Sequence, residues 1–108
     1  MSQIHINIAR DFSRTPGPRR REEGEHSGEQ FLEEVLDPKF VEAKNSGSKV
    51  VVNLDGCAGF ATSFLEAVFG GLARKYGSDV VTKYVKVVAH DEPLLAEEIE
   101  RYVKDANK

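Results

Sequence analysis

The sequence predicts an α/β fold: a small mixed sheet of three to four strands packed with helices, in one domain over residues 1–108. Three segments carry the strand signal. Ile4, Ile6 and Ile8 alternate with His5, Asn7 and Ala9, Val50 to Leu54 form a nearly continuous apolar run, and Tyr84 to Ala89 are rich in valine. Between and after them, apolar residues recur at the three- and four-residue intervals of a helix with one buried stripe. Strands alternating with helices indicate layers. With 108 residues, 40% hydrophobic and including six Phe and three Tyr, the chain has material for one core.

The first strand runs from the N-terminus, Met1-Ser2-Gln3-Ile4-His5-Ile6. Residues 10–25 turn to Arg, Glu, Gly and Pro, with a turn signal at Thr15-Pro16-Gly17-Pro18. Arg19 to Glu23 then read either as a short antiparallel edge strand or as a disordered loop. Ser27 with Gln30 forms a capping box for a helix whose stripe is Phe31, Leu32, Val35 and Leu36. Pro38 costs about 3 kcal/mol in a helix interior, which predicts a break at Asp37 and a restart with Pro38 in the first helical position. Phe40, Val41 and Ala43 continue inward, and Asn45-Ser46-Gly47 ends the element.

Val50 to Leu54 fit a central strand covered on both faces. The next helix, 63–76, carries Leu65, Val68, Phe69, Leu72 and Tyr76 inward, with Ser63 and Glu66 as its capping box and Gly77 closing it. Val80 to Lys83 are ambiguous, with a short helical turn as one reading. After the strand at 84–89, Asp91 caps a final helix, 92–106. Pro93 falls in its first turn, and Leu95, Ile99, Tyr102 and Ala106 face inward.

No apolar run approaches the roughly 18 residues of a membrane span, and the N-terminus reads as a strand rather than a signal peptide. A single cysteine, Cys57, rules out an internal disulfide and points to a reducing, cytoplasmic setting. The net charge of −3 argues against non-specific nucleic-acid binding. Its distribution says more: residues 1–21 hold Arg10, Arg14, Arg19, Arg20 and Arg21 against Asp11, which gives +4 and leaves −7 for the rest. Such a basic segment either binds something acidic or lies against its own domain.

The site signal lies in the stretch from Leu54 to Leu72. A strand ends, a loop carries Gly56 and Gly59, and a helix opens with adjacent hydroxyls, Thr62 and Ser63. Ligands of α/β sheets bind outside the carboxyl ends of the strands, and a helix start there presents free N–H groups. Ser63 reads as the cap, which leaves Thr62 spare. Asp55 reads as a turn residue bonding backbone, and Cys57 as a small half-buried thiol. His5, His26 and His90 lack zinc-site spacing, so neither metal nor cofactor is expected. Gly70-Gly71 in a helix costs about 1 kcal/mol each relative to alanine. That cost implies either close packing or a partner's backbone approaching.

Phe12-Ser13-Arg14-Thr15-Pro16-Gly17, Ser27-Gly28-Glu29-Gln30-Phe31, and Leu54-Asp55-Gly56 through Thr62-Ser63-Phe64-Leu65-Glu66 to Phe69-Gly70-Gly71-Leu72 together resemble the bacterial STAS-like domain family. STAS domains include the anti-sigma-factor antagonists. In these, a serine at the start of the helix after a strand is phosphorylated by a kinase-type partner, and the unmodified form binds that partner. The resemblance places Thr62 at the phosphoacceptor and Ser63 just after it. It departs at Ala61, where the antagonists carry an acidic residue, and at Phe64, where they carry glycine.

The function expected is a non-enzymatic regulatory module. It docks a kinase-type ATPase through loop 55–62 and helix 63–76, using Asp55, Gly56, Gly59, Phe60 and Gly70, and phosphorylation at Thr62 or Ser63 is its switch. The alternative is an anion- or nucleotide-binding domain, with Arg14, Arg19, Arg20 and Arg21 clamping an anion at the start of helix 63–76.

Overall fold

The computed structural model describes residues 3–106, so Met1, Ser2, Asn107 and Lys108 lie outside the described residues. Strand β1 (Gln3–Asn7) leads into a one-turn helix α1 (Ile8–Asp11), capped by the Asn7 side chain, which accepts the Arg10 N–H at 2.9 Å. Helix α2 covers residues 28–46, β2 is Lys49–Asn53, and helix α3 covers residues 62–76. A short helix α4 (Ser78–Tyr84) feeds β3 (Val85–Val88), and α5 (Leu94–Asp105) ends the described chain.

Among the described residues the sheet has three strands in the order β1-β2-β3, with β2 central as expected. It is parallel throughout rather than mixed. Because the strands advance in one direction, right-handed crossovers set both connections on the same face of the sheet. Ile4, Val50 and Val85 align on that face, followed by Ile6, Val52 and Val87. Ile6, Val50 and Val52 share one core with Phe31, Phe40, Phe64, Leu72 and Ile99 from the helices. The opposite face aligns His5, Val51 and Lys86. Val51 is buried there but stands outside the core cluster, while His5 and Lys86 are exposed. Strand β2 is thus buried on both faces as expected, with Val50 and Val52 in the core and Val51 on the opposite face.

Three further expectations are corrected. Helix α2 does not break at Asp37. Its Leu32–Leu36 turn widens to a π-helix, with the Asp37 N–H donating to the Leu32 carbonyl five residues back. The extra residue in that turn lets a proline continue a helix it would otherwise interrupt. Arg19 to Glu23 form neither an edge strand nor a disordered loop but lead into a 3₁₀ turn, Arg21–Glu23. The Gly28 N–H donates to Pro18 O at 2.8 Å, Glu29 N–H to Arg19 O and Gly17 N–H to His26 O, each at 2.9 Å, and these bonds fix the segment. Finally, α5 starts at Leu94 behind Pro93, so Asp91 is not its cap.

Helices α2 and α3 cross closely. A Cβ on Gly28 would stand 2.9 Å from the Phe64 carbonyl oxygen and 3.0 Å from the Ala67 Cβ, and one on Gly71 would meet Leu32 at 2.9 Å. Of the glycine pair of α3, Gly71 thus reflects close packing against α2, and Gly70 lies against the Glu66 and Arg74 side chains of α3 itself. The Ser27 cap stands as expected, accepting the Gln30 N–H at 3.0 Å while fully buried.

Candidate functional site

Parallel strands bring all their carboxyl ends to one rim, and the loops that follow them are joined there by side chains. Asp55, just beyond β2, accepts the Asp91 N–H at 2.9 Å on one carboxylate oxygen and contacts His90 Nδ1 at 2.7 Å with the other. Asp91 returns the contact, accepting the Gly56 N–H at 3.2 Å. The loops after β2 and β3 are therefore clasped by two carboxylates that each hold the other loop's backbone. Gly56 has φ +93, a conformation that suits glycine alone in this turn. The Asp91 N–H, with a further contribution from His90, holds the Asp55 carboxyl below its ordinary range, and burial opposes them. The turn reading of Asp55 was right in kind, but the backbone it holds lies 36 residues away.

The segment after β1 joins the same rim. Asn7 Nδ2 donates to the Asp55 carbonyl at 3.4 Å, and the Ala58 N–H donates to the Arg14 carbonyl at 2.8 Å. Cys57 is half-buried as expected. Its Sγ donates to the Ser13 carbonyl at 3.5 Å, and burial pushes its thiol above the ordinary value. Beneath the loops lies an aromatic cluster that the sequence reading missed. Phe12 packs edge-on against Phe31 with centroids 5.1 Å apart and against His26 at 5.4 Å, while Phe64 lies 6.0 Å from Phe60 and 6.1 Å from Phe31. Its signal was the scatter of phenylalanines across three loop-to-helix junctions, which periodicity within one element does not register.

Helix α3 opens with Thr62 after an N-cap at Ala61 that makes no side-chain cap bond. Ser63 is thus the second helical residue rather than the cap, and that expectation is corrected. Neither hydroxyl bonds another described residue; Thr62 is exposed and Ser63 half-buried. Glu66, released from the expected capping box, faces sideways. Arg19 Nη1 contacts one of its oxygens, and Arg74 Nη1 contacts the other at 2.7 Å. Arg74 and then Arg19 lower the Glu66 carboxyl, with burial opposing.

Of the other proposed docking residues, Gly59 is open to solvent and Phe60 half-buried, whereas Gly70 is buried. A Cβ on Gly70 would meet the Glu66 carboxylate at 2.4 Å. Gly70 therefore offers a partner no surface, and its place among the docking residues is corrected. The four arginines proposed as a clamp do not converge. Arg19 is held by Glu66, Arg21 by Glu33 at 2.8 Å and Glu34 at 2.7 Å, and Arg20 stands 3.8 Å from Glu22. Arg14 alone lies at the rim, in a shallow depression shared with Asn7, Arg10 and Asp55. The basic segment lies against its own domain. Among the described residues, no group of three or more His, Cys, Asp or Glu side chains is arranged to hold a metal ion. Among the described residues, no helix is long and apolar enough to cross a membrane.

A helix that follows the central strand and opens with two hydroxyls unbonded among the described residues is the arrangement that the STAS resemblance implied. The family model described as "STAS-like domain of unknown function (DUF4325)" matches residues 27–94, from the Ser27 cap to the start of α5. The chain belongs to this STAS-like family. No curated protein and no solved structure gives a significant match to it.

Proposed function

We propose that this domain is a non-enzymatic regulatory module that binds a protein partner, a kinase-type ATPase, through loop 55–62 and the first turn of α3, with negative charge at Thr62 as the switch. The observation that carries the reading is Thr62 itself: exposed, the first residue of a helix that follows a central strand, with a hydroxyl no other described residue uses. The clasp between Asp55 and Asp91 presents the loop before it in one conformation, which lowers the ordering cost of docking. It also occupies the carboxylates that an acid–base mechanism would need free. The half-buried thiol of Cys57 is held away from nucleophilic use by its raised pKa.

A phosphate on Thr62 adds about −1.5 to −2 charge at the favourable end of the helix dipole, so the fold tolerates it. It sits four residues before Glu66, which Arg19 and Arg74 contact, and changes the charge presented to a partner. The anion-clamp reading is not carried forward, because Arg19 and Arg21 are already neutralised within the domain.

The test is binding of the isolated ATPase partner, recovered by co-purification from the native cell. Thr62→Glu is expected to abolish binding with the melting temperature preserved, and Thr62→Ala to bind constitutively. Ser63→Ala, no longer a capping change, should leave stability within about 0.5 kcal/mol of wild type. Equal binding by wild type and Thr62→Glu defeats the switch.

A further inference from the structure

The sheet stops at β3, yet space for another strand is left beside it. Val88 C=O accepts the Leu54 N–H at 2.8 Å, so the backbone of Val88 faces β2. In a parallel ladder successive residues face opposite sides, so both backbone groups of Val87 point away from the sheet. Along this edge runs a groove of about 550 Å³, walled by Val85 and Val87 on one side and by Ala96, Ile99 and Val103 of α5 on the other. Helix α5 packs on α3 and α4 and leaves the edge of β3 uncovered. Lysines flank the groove. Lys104 lines it from α5 beside Glu100, while Lys49 and Lys86 border it from the strands on the opposite sheet face, where alternate side chains of an added strand lie. None of the three forms an ion pair among the described residues.

We infer that the free edge of β3 and the groove under α5 form a second docking site, which takes an extended acidic segment of a protein partner by β-strand addition. Main-chain bonds to Val87 supply affinity, alternate apolar side chains enter the groove, and acidic ones meet the lysines. An extended occupant follows from the unpaired backbone of an edge strand. An acidic one follows from the three lysines. A second copy of this chain fits worse, since pairing β3 with β3 brings Lys86 and its neighbours against themselves. The site stands apart from Thr62 and does not depend on the switch.

The probe is a synthetic peptide, acetyl-Glu-Val-Glu-Val-Glu-Val-Glu-amide, with the lysine analogue as its counterpart, titrated at low salt into ¹⁵N-labelled protein. The acidic peptide is expected to shift the amides of β3 and α5, Val87 most, and to bind about ten-fold more tightly than the basic one. Lys86→Glu with Lys104→Glu should reverse that preference. Val87→Pro removes the outward N–H, a change edge strands accept, along with part of the Val87 side chain, and should abolish the shifts. If that variant does not fold, the charge reversal still decides. Equal binding of both peptides, shifts confined to the rim, or β3 shifts that grow with protein concentration alone would each overturn the proposal.

Discussion

The rim at the carboxyl ends of the strands and the open edge of β3 belong to one small sheet, yet they are finished in opposite ways. At the rim, three loops are tied across chain separations of 35 residues and more by Asp55, Asp91, His90 and Asn7, over a cluster of phenylalanines. At the edge, half-buried valines and the unpaired outer side of β3 face a groove flanked by lysines that form no ion pair among the described residues. The difference teaches where this fold spends its side chains. Polar groups at the rim satisfy one another and fix a surface, whereas those at the edge are left for something else to satisfy.

The largest expected effect that separates the two regions is in packing. Phe64 is fully buried and touches three other rings, so Phe64→Ala should cost about 3–5 kcal/mol in urea denaturation. Val103 lines the open groove, and Val103→Ala should cost about 1 kcal/mol because it leaves no closed cavity. Similar losses for the two would erase the contrast.

A smaller effect tests the clasp. Asp55→Ala removes the acceptor of the Asp91 N–H and the partner of His90. Hydrogen exchange at Gly56 and Asp91 should speed up about ten-fold or more, while exchange in β3 and α5 stays unchanged. Uniform acceleration across the domain would mean that the clasp supports the whole fold rather than the rim.

The smallest is a pH effect with the same geography. Asp55 and Glu66 titrate below their ordinary values in the folded protein, so they bind fewer protons than the unfolded chain does as pH falls through the carboxylate range. Their contribution is complete above about pH 5 and is lost as pH falls through their lowered folded values. Amides of loops 54–61 and 89–93 should lose protection first on acidification, ahead of β3. Loss in β3 first would place the weak point at the edge.

Local signals in the sequence were enough for the strands, the inward stripes of α3 and α5, the Ser27 cap and the exposed hydroxyl at the start of α3. Each depends on residues within one or two turns of one another, and so does the period that reveals it. Where one local rule competed with a distant partner, the partner won. Glu66 left Ser63 for Arg19 and Arg74, Asp91 left the start of α5 for Gly56, and Pro38 was absorbed by a widened turn instead of ending its helix. Capping residues are worth about 1 kcal/mol, little enough for an ion pair or an inter-loop bond to redirect them.

The chain by itself therefore determined an α/β layer with a central valine strand, because periodicity and burial are written residue by residue. Only the tertiary structure decided that every strand runs the same way, that the helices share one face, that Arg19 and Arg21 are spent on the domain's own carboxylates, and that β3 ends the sheet with its edge open. These depend on which distant segments meet. In a sheet of parallel strands every pairing is made across a long crossover, which no local pattern records.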